Sequence, residues 1–108
     1  MALREIIENY TANDTLPALF RTHPTQGTDI TLFTITFRMR RPDGTKLIKT
    51  TPTQVKIIDG PKGEFKIVWS AGDLQHSENL QEAEIEYDST DGRQTEGPIW
   101  LKVRKQIG

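Results

Sequence analysis

The chain of 108 residues contains no cysteine, which excludes disulfides, thiolate metal sites and a cysteine nucleophile. Small secreted domains often need disulfide staples, so their absence points to folding in a reducing cytoplasm. Apolar residues are scarce, at 34 % with only 7 % aromatic, where nearly half of a globular chain is usually apolar. One modest core is therefore expected, and a chain of this length does not divide into two. No apolar run approaches the length of a membrane span or of a signal-peptide core. Neither sign of charge dominates: 14 Lys and Arg stand against 15 Asp and Glu, for a formal net charge of −1. Binding to a phosphate backbone needs a clear basic excess, so a nucleic acid is not an expected partner; nor is a membrane, for want of a long apolar run. Only His23 and His76 could act as bases at neutral pH. No serine elbow, metal-binding helix or phosphate loop accompanies them. Both are expected to be exposed loop residues, and no residue is assigned a catalytic, cofactor or metal role.

What is present is the punctuation of a β protein. Short runs of β-branched and aromatic residues are separated by Gly, Pro and Asp. The clearest strand is predicted over Leu32–Arg40, with Phe33, Ile35, Phe37 and Met39 on one face and Thr34, Thr36, Arg38 and Arg40 on the other. Arg41-Pro42-Asp43-Gly44 supplies a tight turn, because Pro fixes its own φ and Gly takes a φ that other residues resist. Thr45–Thr50 pairs back as the second arm, with Leu47 or Ile48 inward. Further strands are predicted over Val55–Ile58, Glu64–Trp69, Leu80–Tyr87 and Ile99–Val103. The polar stretch Ser70–Asn79 is too long for a hairpin turn and is expected to cross between sheets, with room for a helical turn. Leu16–Thr22 is a further strand, suited by Pro17 to an edge. Leu3, Ile6, Ile7 and Tyr10 have helical spacing, but Glu5–Thr11 also reads as a strand, which the β character of the rest favours. The expected architecture is an all-β, Ig-like antiparallel β-sandwich of about seven or eight short strands. Residues 1–12 form an N-terminal arm or edge strand, and residues 13–108 a single sandwich domain.

Several side chains carry possible chemistry. Glu82, Glu84 and Glu86 fall about 7 Å apart along one strand face, two strand rises each. A glycosidase could use carboxylates at such a spacing, but equivalent glutamates on one open strand read as a solvated face. The sharper alternative is pairing with Arg38 and Arg40, or with Lys102 and Arg104, across a sheet or a subunit boundary. Asp43, Asp59, Asp88 and Asp91 flank glycines, which is turn chemistry; a calcium loop needs denser oxygen ligands. Trp69 continues the Phe65/Ile67 face and is assigned to the core. Trp100 lies opposite Ile99, Leu101 and Val103, so it is expected to point outward, where a Trp is a good interface anchor. Lys102, Arg104 and Lys105 would form a basic rim beside it. Leu3, Ile6, Ile7 and Tyr10 carry more apolar surface than a free terminus should expose. The arm is expected to pack on its own sandwich or to add to a neighbour's sheet edge.

The order of several segments resembles one family. Asn13-Asp14-Thr15-Leu16-Pro17, Thr28-Asp29-Ile30-Thr31 and the hairpin Phe37–Thr45 look like successive pieces of the N-terminal domain of phage baseplate upper proteins. Gly63–Asp73, with its strand, Trp69 and Gly72-Asp73, resembles a further piece. Ala83–Tyr87 with Asp91-Gly92, and then Gly97-Pro98, complete the series, which spans Asn13 to Val103. Ser70–Asn79 departs from the pattern in lacking a clear glycine before the next strand. The resemblance implies a β-sandwich from a phage or prophage, folded in the bacterial host cytoplasm and built into a virion. It implies attachment to other virion proteins and self-association in multiple copies, without catalysis. The matching motifs are scaffold motifs, so no family functional residue maps onto this chain. The residues expected to make contacts are Trp100, Lys102, Arg104, Arg38, Arg40, Ile6, Ile7 and Tyr10. The alternative is a carbohydrate-binding or adhesin-like module, with Trp100 as the residue facing a glycan.

Overall fold

A computed structural model describes residues 6–12, 18–21, 29–90 and 92–105. Within them the chain is all-β, with strands β1 (Ile6–Thr11), β2 (Ala18–Arg21), β3 (Thr34–Arg40), β4 (Lys46–Thr50), β5 (Val55–Asp59), β6 (Glu64–Ile67), β7 (Gln81–Ser89) and β8 (Gly92–Arg104). The described residues form no helix, so none is long and apolar enough to cross a membrane. One sheet has the order β1-β8-β7-β3-β4 and the other the order β2-β6-β5. Neighbours pair antiparallel, except that β1 lies parallel to β8, with Ile6 beside Ile99 and Thr11 beside Arg104. That pairing departs from the expected all-antiparallel arrangement. Its cause is topological: the first and last strands enter the sheet from the same end. The arm is a strand, as favoured, and its backbone docks on its own sheet. The side chains of Ile6, Ile7 and Tyr10, like Pro17, His23 and Asp91, lie outside the described residues.

The two sheets face one another and share a core, which makes the molecule sandwich-like. The larger sheet contributes Ile35, Phe37 and Met39 from β3, Ala83, Ile85 and Tyr87 from β7, and Ile99, Leu101 and Val103 from β8. The smaller contributes Val55, Phe65 and Ile67, with Trp69 just beyond β6. Period-two alternation explains each set: every second side chain of a strand turns to the same face. Two edge-to-face aromatic contacts join the sheets, Phe37 to Trp69 at 5.5 Å between ring centroids and Phe65 to Tyr87 at 6.0 Å. Such pairs add about 0.5–1.5 kcal/mol beyond the area they bury.

Several boundaries differ from expectation. β3 begins at Thr34 because Leu32 sits exposed in the turn that follows Asp29. The Asp29 carboxylate accepts the Thr31 N–H at 2.9 Å and the Thr31 hydroxyl at 2.5 Å, which fixes that turn. β7 begins at Gln81 and leaves Leu80 exposed. The last strand runs for 13 residues from Gly92, well before the predicted start at Ile99. Its polar first half, Arg93–Glu96, carries no alternation to read, yet pairs with Ile85–Asp88 of β7. The register slips between Ala83 and Ile85, opposite Gly97-Pro98, so a bulge absorbs the Gly-Pro step. A Cβ at Gly97 would sit 3.3 Å from the Ala83 carbonyl oxygen.

The crossover Ser70–Asn79 does connect the two sheets, and it contains turns but no helix. It is not merely polar covering. Leu74 is buried in the core, and Asp73 is buried beside it. Of the two candidates on β4, Leu47 is the inward residue, and Lys49, two positions on, shares its face.

Candidate interaction surface

The outer face of the larger sheet carries the side chains that alternation turns away from the core. Register aligns them in rows. Lys46 of β4 lies opposite Arg40 of β3. The next position in the β3–β7 register is Glu82, which lies opposite Trp100 of β8. One row along, Ile48, Arg38 and Glu84 are neighbours, and then Thr50, Thr36, Glu86 and Thr95. The face thus divides by charge: β3 and β4 present cations, and β7 presents carboxylates.

Only part of this charge is neutralised within the chain. Arg38 donates to Glu86 across the strands at 2.8 Å, and Arg93 approaches the other oxygen of Glu86 at 3.4 Å. This is the cross-strand pairing considered for the glutamates, realised at Glu86. Arg93 was missed because its strand was not foreseen. Among the described residues, neither Arg40 nor Lys46 pairs with a carboxylate, and neither Glu82 nor Glu84 pairs with a cation. Arg40 and Lys46 are like charges directly opposite one another, an arrangement that destabilises a sheet. Between the two charge groups lies a depression of about 310 Å³, lined by Arg38, Arg40, Lys46, Glu82, Glu84 and Pro98 among others. It forms where the β7–β8 bulge opens the outer surface.

Trp100 lies on this outer face, as alternation requires, but it is half-buried. Its indole N–H is buried and has no acceptor among the described residues. Ile48 adds apolar surface on the opposite flank and is 51 % exposed. Sequence reasoning missed Ile48 as a surface residue because either it or Leu47 could have faced inward. Lys102 is half-buried, and its Nζ donates to the Glu78 carbonyl at 3.3 Å; Arg104 is exposed at the end of β8. The expected contact residues Arg38, Arg40, Trp100, Lys102 and Arg104 therefore lie on one sheet. Arg38 and Arg40 line the depression, Arg38 already engaged with Glu86, and Trp100 lies beside Glu82.

His76 is not the exposed loop residue expected. It is half-buried, with Nδ1 3.1 Å from the Val103 carbonyl and Nε2 3.1 Å from Glu78. The Nδ1 contact holds the crossover against β8, and the Nε2 contact stays within the crossover. Among the described residues no group of three or more His, Asp or Glu side chains converges as a metal site. Of the aspartates assigned to turns, Asp43 and Asp59 do cap turns, Asp59 accepting the Lys62 N–H at 3.2 Å, whereas Asp88 lies within β7. Asp43 accepts the Thr45 N–H and hydroxyl, at 2.9 and 2.5 Å, and the Gln75 amide at 3.1 Å. Those bonds, led by the Thr45 hydroxyl, lower its carboxyl to a pKa of about 2. The Asp29 carboxyl is lowered likewise, chiefly by the Thr31 hydroxyl. Tyr87 donates to Glu96 at 3.3 Å; burial first, and then the Glu96 carboxylate, push its phenol well above the usual range.

Comparison with known proteins adds no relative: no family model and no curated protein matches the chain.

Proposed function

We propose that this chain is a bacteriophage structural protein that works by protein–protein docking through the outer face of its larger sheet. It would serve as a baseplate, tail or neck component, or as a capsid-decorating or fibre-anchoring protein. The observation that carries this reading is the division of that face into cations and carboxylates that the chain leaves partly unneutralised, with Trp100 and Ile48 at its flanks. Interfaces are steered and registered by complementary charge around a few apolar anchors. The virion setting rests on the ordered resemblance between Asn13 and Val103 to phage baseplate upper proteins. The Ig-like assignment within the sandwich class is supported by strand order. β8-β7-β3-β4 corresponds to G-F-C-C′ of an immunoglobulin variable-type sheet, and β2-β6-β5 to B-E-D.

A glycan-binding role would place a sugar on Trp100. A half-buried ring with its N–H already covered offers little stacking surface, so docking is the better account of that residue. The test is to purify phage particles from the host that carries the gene and analyse their proteins by mass spectrometry. The chain is expected in the particle band, in a copy number set by the particle's symmetry. Recovery only from the particle-free fraction would defeat the virion assignment.

A further inference from the structure

We propose that the outer face of the larger sheet binds a second copy of this chain, in a two-fold arrangement that lays the cations of one copy over the carboxylates of the other. The proposal rests on the docking reading above and names the partner.

The argument is one of symmetry and charge. The columns run in the order β4, β3, β7, β8. The first two carry Lys46, Arg40 and Arg38, and the third carries Glu82, Glu84 and Glu86. A two-fold axis in the interface, along the strands and midway between β3 and β7, exchanges β3 with β7 and β4 with β8. Position along the strand is preserved. Arg40 of one copy then meets Glu82 of its partner, and Arg38 meets Glu84. Lys46 comes to lie over the Trp100 position at the end of the face. Ile48, 51 % exposed, comes to lie over the Gly97-Pro98 step. Arg40, Glu82 and Glu84, unpaired within one copy, each meet an opposite charge, which offsets the Arg40–Lys46 repulsion. An axis across the strands would instead set β3 on β3 and cation on cation, so the charge pattern selects one orientation.

The 310 Å³ depression straddles the same line between cations and carboxylates. It gives Arg40 of the partner a recess to enter beside Glu82. Four strands about 4.8 Å apart and some seven residues long cover on the order of 500 Å² per copy. That is the low end for a specific interface, so a weak, reversible dimer that salt loosens further is expected. An isologous contact of this kind closes on itself and yields dimers, not fibres.

Sedimentation velocity of the full chain, from micromolar to millimolar concentration and at low and high salt, tests the proposal directly. A monomer–dimer equilibrium that loosens with salt is expected. Two charge-reversed chains sharpen the test: Arg40→Glu with Lys46→Glu, and Glu82→Lys with Glu84→Lys. Each alone should dissociate at least about tenfold more readily than the natural chain, while an equimolar mixture of the two should associate. All four positions are exposed, and circular dichroism checks that the variants fold. If a variant does not fold, the salt and concentration dependence of the unaltered chain still decides. A chain that stays monomeric at millimolar concentration, or reversed chains that self-associate as well as the natural one, would overturn the proposal. Either result leaves the virion assignment to its own particle assay.

Discussion

The Lys49 ammonium lies 2.6 Å from the Asp73 carboxylate, with both side chains almost fully withdrawn from solvent. Lys49 belongs to β4, the edge of the larger sheet, and Asp73 to the crossover between the sheets. The same Asp73 oxygen accepts the Ser70 N–H at 2.6 Å, and the Asp73 N–H donates back to the Ser70 carbonyl at 3.0 Å. One carboxylate thus closes the turn at the end of the Trp69 segment and ties it to an edge strand. Removing one member of a buried pair leaves an uncompensated charge, which costs about 3–5 kcal/mol. Lys49→Ala and Asp73→Ala should each lose about that much in urea unfolding. The double variant Lys49→Ala with Asp73→Ala should cost clearly less than the two singles combined, because it leaves no unpaired charge behind. Additive losses would show that the two groups do not interact in solution.

Phe37 is wholly buried and meets Trp69 edge-on across the sheets. Phe37→Ala removes both the aromatic contact and the volume that fills the gap between β3 and the end of β6. The expected loss is about 3–5 kcal/mol, as for other buried aromatics cut to alanine. Equilibrium denaturation measures it, and a loss below about 1 kcal/mol would mean that the sheets are not packed at this point.

Gly60 closes the β5–β6 turn, and its carbonyl accepts the Ile30 N–H at 2.8 Å. A Cβ there would collide with the Thr31 hydroxyl and lie 3.0 Å from the Thr31 Cα, which is backbone. Gly60→Ala must therefore displace the Asp29–Thr31 turn and is expected to cost about 1–3 kcal/mol. Thermal unfolding checks this, and an unchanged midpoint would show that the loop gives way freely.

The acid behaviour of the Asp43 turn follows from its lowered carboxyl, which shifts from 3.8 to about 2. The folded state holds the ionised form through the Thr45 hydroxyl and N–H, the Gln75 amide and the Arg41 charge. Because the folded value lies below the unfolded one, the carboxylate's support is complete above pH 3.8. It is lost as pH falls toward 2. A carboxyl-carbon NMR titration should find Asp43 still ionised at pH 3, where an ordinary aspartate is mostly protonated. Asp43→Asn should remove this titration and loosen the contact between the β3–β4 turn and Gln75. An ordinary midpoint for Asp43 would mean that the Thr45 bonds do not persist.

Much of this fold was legible where alternation was strong. Thr34–Arg40 and Gln81–Tyr87 announce their inner faces residue by residue, and Trp69 follows from Phe65 and Ile67. The turn Pro42-Asp43-Gly44 announces the β3–β4 hairpin. Legibility failed where polarity hid pairing. Arg93–Glu96 joins the sheet through backbone bonds that need no apolar side chain, so nothing in its composition marks a strand. Lys49 was missed although alternation with Leu47 places it inward, because a lysine is rarely read as a core residue. Its partner Asp73 lies 24 positions away in a polar stretch, and no local pattern links the two. On the outer face, the glutamates and Arg38 could be read as facing pairs from period two alone. Which of them would be neutralised depended on the bulge and on Arg93, and neither had a signature in the sequence.

Trp100 separates folding from docking. It sits on the outer face beside Glu82, half-buried, with the core residues Ile99 and Leu101 turned the other way. Partial burial of so large a ring corresponds to about 2–3 kcal/mol of stability, below the loss expected at Phe37. Trp100→Ala should therefore remain folded, with a strand-type circular dichroism spectrum and a modestly lower melting midpoint. Its association should weaken by far more than its stability, because the indole closes the end of the face where the partner's Lys46 would arrive. Trp100→Phe keeps a ring and should recover part of that association. If Trp100→Ala instead unfolded the monomer, the residue would belong to the structural packing between β8 and its neighbours. If it folded and associated like the natural chain, the contact would have to be sought on another part of the sheet.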